Sequence, residues 1–146
     1  MKIFLIIPAF NEEDRLYSTY SKIKKKVISS IVVVDDGSTK KVESRKLKGA
    51  IVLRHDINLG KAAAMKTGAE YAFANKADAV VFIDSDGQHN PDEIIKFISY
   101  LKKGYEIVLG SRQMPIDALL IRIFGTASII FLKRNYGMHI KCRKRN

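Results

Sequence analysis

A chain of 146 residues suits one ordinary domain, and 47% apolar residues are enough to build a packed core, which excludes a disordered chain. The formal charge of +11 is uneven, because residues 118–146 hold Arg122, Lys133, Arg134, Lys141, Arg143, Lys144 and Arg145 with no acid. A single cysteine, Cys142, excludes an internal disulfide and a cysteine-rich zinc site, and suits a reducing cytoplasm.

The opening MKIFLIIPAFNEE has an apolar run too short for a signal-peptide core and no small-residue cleavage site, so Ile3–Ile7 reads as a strand. Further β-rich runs follow, giving predicted strands at 2–7, 31–35, 50–54, 79–84 and 106–110. Between the first two, a helix is predicted over 12–28, with Leu16, Tyr20, Ile23 and Val27 on one face. Lys22, Lys24, Lys25 and Lys26 then form its solvated side. Gly60 permits a tight turn into an alanine-rich helix from Lys61 to Asn75. A third helix has Asn90 as its N-cap, Pro91 first, Asp92 and Glu93 in the first turn, and Gly104 as its stop. Its inward residues are predicted to be Ile94, Ile95, Ile98 and Leu101. No stretch reaches the ~20 apolar residues of a membrane span. Alternating strands and helices predict an α/β domain with a mainly parallel sheet flanked by helices.

Open parallel sheets bind ligands beyond the carboxyl ends of their strands. The residues there are polar: Pro8-Ala9-Phe10-Asn11-Glu12, Asp35-Asp36-Gly37-Ser38, Asn58-Leu59-Gly60-Lys61, Asp84-Ser85-Asp86 and Gly110-Ser111-Arg112. Taken alone, Asp84 and Asp86 suit either a metal ion or a turn and helix cap. Lys61 is either a solvated first-turn lysine or a phosphate contact. His89 reads as a polar residue preceding a helix, with metal ligation or acid–base chemistry beside the Asp-x-Asp motif as the alternative, and His55 and His139 have no partner motif and receive no role.

In order and spacing, PAFNE, VVDDGS, NLGK, DSDGQH and GSR, all within residues 1–112, resemble the family-2 glycosyltransferases of the GT-A type. The likeness is greatest to the polyprenyl-phosphate sugar transferases typified by dolichyl-phosphate mannosyltransferase. The resemblance implies a GT-A, Rossmann-like nucleotide-diphospho-sugar transferase domain over 1–112. It implies an inverting, metal-dependent transfer of mannose or glucose from GDP-mannose or UDP-glucose to a polyprenyl phosphate. Asp86 and Gln88 would contact Mg²⁺ or Mn²⁺, with Asp84 either a third ligand or a sugar and ribose contact. Asp36 would accept from the base or ribose and Glu12 from ribose hydroxyls, as suits acceptor-only carboxylates. The backbone at Pro8, Phe10 and Val34 would line the base slot, and Ser85 completes the donor set. Arg112 would hold phosphate oxygens of either donor or acceptor. Asp86 and Arg112 are thus the expected catalytic residues. An acceptor phosphate is already ionised near neutral pH, so no general base is required.

Residues 113–146 depart from that pattern. ALLIRIFGTASIIFLKRNYGMHI, residues 118–140, reads as amphipathic, basic and membrane-facing helix, either interfacial or simply covering the sheet. KCRKRN stands where the family carries an acidic segment and a Gly-Phe-Lys or Gly-Phe-Arg motif, which implies a chain cut short. The expected location is the cytoplasmic face of a membrane, as a peripheral protein. Two alternatives stay open: a nucleotide-sugar-binding remnant with impaired turnover, and a basic nucleic-acid-binding module. The second lacks aromatic interleaving and a motif, so no nucleic-acid partner is expected.

Overall fold

The computed structural model describes residues 1–86, 93–103, 105–111, 128–131 and 139–144. Among these, seven strands form one sheet: β1 (Ile3–Ala9), β2 (Ser30–Asp35), β3 (Ala50–Arg54), β4 (Ala79–Phe82), β5 (Tyr105–Ser111), β6 (Ser128–Phe131) and β7 (His139–Lys144). Their order is β3-β2-β1-β4-β6-β5-β7, and all neighbours are parallel except β7, which runs antiparallel to β5. The helices are α1 (Glu13–Lys22), α2 (Lys61–Ala74) and α3 (Glu93–Lys102).

Every residue of β1 is buried, which is why its sequence runs apolar without alternation. Ile3, Leu5 and Ile7 join a core containing Leu16, Tyr20 and Ile23 together with Ile94, Phe97, Ile98 and Leu101 of α3. Phe4 and Ile6 join a second core with Val32, Val34, Ala64, Met65, Ala69 and Ala72. The period-2 geometry of β1 therefore glues α1 and α3 to one face and α2 to the other. Small residues let α2 lie close: a Cβ at Gly68 would collide with Ile6 Cγ2. Pro8, which cannot donate, follows the end of the β4 ladder at Ile6–Phe82.

Three expectations change. Helix α1 stops at Lys22 rather than 28, because Ile23 is extended and the chain must reach β2. Ser29 N–H donates to Ile3 O at 2.8 Å and Ser29 Oγ accepts from Ile3 N at 3.1 Å, which ties this connection to the start of β1. On α3 the residue turned inward is Phe97, fully buried, whereas Ile95 is 43% exposed. The buried set 94, 97, 98, 101 is the i, i+3, i+4, i+7 stripe of a single helix face. Residues 128–131 and 139–140, read as helix, are strand, the second pair opening β7. Ser-Ile-Ile-Phe pairs with both β4 and β5, and β-branched and aromatic residues suit that position. The predicted cap at Asn90-Pro91, the stop at Gly104 and the apolar residues 118–127 lie outside the described residues. No helix among the described residues is long and apolar enough to cross a membrane.

Candidate functional site

Register brings the carboxyl ends of three strands side by side, since Ala9 is level with Asp35 and Ile6 with Phe82. The loops that follow β1, β2 and β4 therefore share one edge of the sheet. With the start of α2 they enclose an open cleft of about 290 Å³, lined by Pro8, Ala9, Phe10, Glu12, Asp36, Asn58, Lys61, Ala64, Asp84, Ser85 and Asp86. Seven of the residues expected from sequence meet here: Pro8, Phe10, Glu12, Asp36, Asp84, Ser85 and Asp86. Val34 is fully buried against α2 and is not a lining residue. Gln88 and Arg112 lie outside the described residues.

Hydrogen bonds fasten the loops to one another. The Ser85 hydroxyl donates to Glu12 Oε2 at 2.6 Å, joining the β4 loop to the β1 loop, and Thr19 Oγ1 donates to Ser85 O at 3.3 Å from α1. Asn11 adopts φ 51, a left-handed conformation that asparagine tolerates. Its N–H donates to Ser38 Oγ at 3.0 Å and its Oδ1 accepts from Thr39 N at 2.8 Å, clasping the β1 loop to the β2 loop. Gly37, at φ +72, lies under the backbone of Ile57 and Asn58, so the β3 loop crosses directly over it.

The two adjacent aspartates of the β2 end do different work. Asp35 is buried and accepts from Ser38 N at 3.0 Å, Val42 N at 3.2 Å and the guanidinium of Arg54, which also donates to Ser38 O at 2.9 Å. Burial opposes its ionisation, but the donors from Ser38, Val42 and Arg54 outweigh this and hold its pKa below the ordinary aspartate value. Asp35 is thus a structural hub of the turn. Asp36 lines the cleft while accepting from Leu59 N at 3.0 Å and facing the His55 ring at 2.7 Å. Burial again opposes ionisation, and the Leu59 N–H, His55 ring and Gly60 N–H together lower its pKa. The contact from His55 was not recognised in the sequence. The signal available was the pairing of β2 with β3, where Asp35 is level with Arg54, so that Asp35-Asp36 runs beside Arg54-His55.

Half-buried Asp84 and Asp86 line the same cleft as Asp36. The Lys61 ammonium, from the first residue of α2, pairs with Asp84 Oδ1. Among the described residues no cluster of three or more His, Cys, Asp or Glu surrounds a point as a self-sufficient metal cage. Two carboxylates one residue apart instead fit a hard cation whose remaining oxygen ligands come from a bound diphosphate and water. Lys61 already supplies positive charge where such a cation would sit. Phe10, 43% exposed, gives the cleft an apolar wall. The arrangement can accept N–H and O–H donors at Asp36 and Glu12, and Lys61 or a cation held by Asp84 and Asp86 would balance phosphate charge beside them.

The family model described as "Glycosyl transferase family 2" matches residues 4–141. An uncharacterised protein of Methanocaldococcus jannaschii is 38% identical over 90% of this chain and 56% of its own length. The UDP-N-acetylglucosamine–dolichyl-phosphate N-acetylglucosaminyltransferase of Methanococcus voltae is 33% identical over 92% of this chain and 64% of its own. The chain thus spans a little over half to just under two thirds of these relatives. A crystal structure of glucosyl-3-phosphoglycerate synthase from Mycobacterium tuberculosis, in complex with Mn²⁺, UDP-glucose and phosphoglyceric acid, matches with a TM-score of 0.58. It is 30% identical over 74% of this chain and 42% of that one.

Proposed function

The chain belongs to glycosyl transferase family 2, and from that premise we propose that its cleft binds a nucleotide-diphosphate sugar with a divalent cation and passes the sugar to a polyprenyl phosphate. The observation that carries this reading is the convergence of Glu12, Asp36, Asp84 and Asp86 on one cleft beyond the ends of β1, β2 and β4. Acceptor-only groups at Glu12 and Asp36 suit the hydroxyls of a ribose and the N–H groups of a base. The exposed ring of Phe10 offers a face for the base. Asp84 and Asp86 would hold Mg²⁺ or Mn²⁺ jointly with the diphosphate, with Gln88 as a further ligand, and the ion would neutralise charge on the leaving diphosphate.

The rest falls to the chain's own residues. The Ser85–Glu12 and Asn11–Ser38 bonds keep the loops in position, so the site is set before the ligand enters. Lys61 lines the same cleft, and with a cation held by Asp84 it would be free to turn to a phosphate oxygen. Arg112 is assigned to phosphate as well, on donor or acceptor. An ionised acceptor phosphate attacks without first losing a proton, so none of the cleft carboxylates acts as a base.

A lipid acceptor places the chain at a membrane surface on the cytoplasmic side. The M. voltae relative is named for a dolichyl-phosphate acceptor, and the C-terminal cations Lys141, Arg143 and Lys144 suit an anionic leaflet. The test is to incubate the protein with Mn²⁺, a short-chain polyprenyl phosphate and radiolabelled GDP-mannose, UDP-glucose or UDP-N-acetylglucosamine, and to extract the lipid. Label in the lipid with one donor supports the reading. Label released only as free sugar, or, in a parallel incubation that adds phosphoglyceric acid, transferred to that acid and not to the lipid, overturns the lipid acceptor.

A further inference from the structure

His55 follows β3 and is 12% exposed, facing the 3% exposed carboxylate of Asp36. Its Nδ1 lies 2.7 Å from Asp36 Oδ1, and its Nε2 lies 2.9 Å from Thr67 Oγ1 on α2. An ionised carboxylate only accepts, so Nδ1 carries the proton that is shared with Asp36. Carboxylate, imidazole and hydroxyl thus stand in line, the order of a nucleophilic relay. A relay would need its hydroxyl at the substrate. Thr67 lies inside α2, seven residues before its end, and neither it nor His55 lines the cleft. Of the three, Asp36 alone does.

We propose that His55 is a positioning residue for the donor nucleotide: it fixes the Asp36 carboxylate toward the cleft and ties it to α2 through Thr67. The proposal rests on the nucleotide-sugar reading of the cleft. A carboxylate held only by the Leu59 and Gly60 N–H groups of one loop keeps more freedom about its side-chain torsions, and the ligand would then have to order it on binding. The imidazole removes that freedom beforehand, and its hydrogen bond is charge-assisted. The line also joins the loop after β2 to the helix that carries Lys61 at its first turn. The nucleoside end and the diphosphate end of the cleft therefore share one support.

The test measures UDP and GDP binding by calorimetry, with Mn²⁺ present, for the wild type, His55→Leu, His55→Asn, Asp36→Ala and the Asp36→Ala/His55→Leu double variant. Circular dichroism and Tm are recorded for each. His55→Leu is expected to weaken the nucleotide about tenfold, the scale of one charge-assisted hydrogen bond. His55→Asn, whose amide can donate from near the Nδ1 position, restores affinity to within about threefold of wild type. In the Asp36→Ala background His55→Leu has no further effect, since the group it positions is gone. Should His55→Leu not fold, Thr67→Val reads the same line from its far end, with a two- to fivefold loss that again vanishes when Asp36 is Ala. An equal loss from His55→Leu or Thr67→Val with and without the Asp36 carboxylate, or a folded His55→Asn as weak as His55→Leu, overturns the positioning role. Wild-type protein that binds neither nucleotide sinks the donor-site reading itself, and this proposal with it.

Discussion

Gly37→Ala probes how far the cleft depends on the packing of its loops. The residue has φ +72, and a Cβ there would lie 2.5 Å from Asn58 N and 2.8 Å from Ile57 O, with the Ile57 carbonyl carbon nearer still. Those are backbone atoms, so no rotamer change relieves the clash. Alanine in the left-handed region costs about 1 kcal/mol by itself. Restoring ordinary contact, near 3.4 Å, moves the Ile57–Asn58 backbone by roughly 1 Å. A shift of that size breaks the 3.0 Å bond from Leu59 N to Asp36, a hydrogen bond to a charged group worth about 2 kcal/mol. The sum, about 3 kcal/mol, corresponds to a Tm lower by roughly 10 °C in a domain of this size. Nucleotide affinity should fall about tenfold, because Asn58 and Asp36 both line the cleft. Differential scanning calorimetry and titration of UDP or GDP measure the two effects. Wild-type values for both would refute the steric argument, and a lowered Tm with unchanged affinity would show that the β3 loop does not shape the ligand site.

Replacing Lys61 with Met removes the ammonium from Asp84, so Mn²⁺ binding without nucleotide should strengthen about two- to fivefold, the scale of a solvent-exposed pair; electron paramagnetic resonance of free Mn²⁺ reads this, and weaker binding would contradict it. Asp35 and Asp36 have folded pKa values below their unfolded ones. Their stabilisation is therefore complete well above the unfolded value near 3.9 and is lost as pH falls below it, through the lower folded values. Urea melts should show stability flat from pH 7 to about 5 and falling below about 4, less steeply in Asp35→Asn; an unchanged slope in that variant would contradict the assignment. Asp35→Asn should also cost about 3 kcal/mol at pH 7 by stranding the Arg54 guanidinium and the donors of Ser38 and Val42.

Local chemistry made much of this legible beforehand. The apolar runs at 31–35 and 50–54 mark β2 and β3 within a residue, because their interiors, Ile31–Val34 in buried β2 and Ile51–Leu53 in the half-buried edge strand β3, are unbroken runs of β-branched and aliphatic residues. Gly60 and the alanines after it give α2 its start. The cleft followed from the rule that ligands lie beyond the strand ends, which placed Glu12, Asp36, Asp84 and Asp86 together. What escaped depended on distant partners. Ser128–Phe131 becomes a strand only because β4 and β5 offer it two open edges, and its own residues also fit an apolar helix. The end of α1 is set by Ser29 meeting Ile3, not by any stop signal. His55 looked unpartnered because its partner lies 19 residues earlier, just past the end of the neighbouring strand, and only the β2–β3 register brings them together.

The measurement closest to the central claim is calorimetric titration of UDP and GDP into the wild-type chain with Mn²⁺ and again with EDTA. Asp86→Ala is measured beside it, with Asp14→Ala, an exposed residue of α1 away from the cleft, as control. The account predicts that one nucleotide binds with Mn²⁺, that chelation weakens it at least tenfold, and that Asp86→Ala does the same while Asp14→Ala does not. Equal affinity with and without metal, or an Asp86→Ala variant that binds as the wild type does, would contradict it.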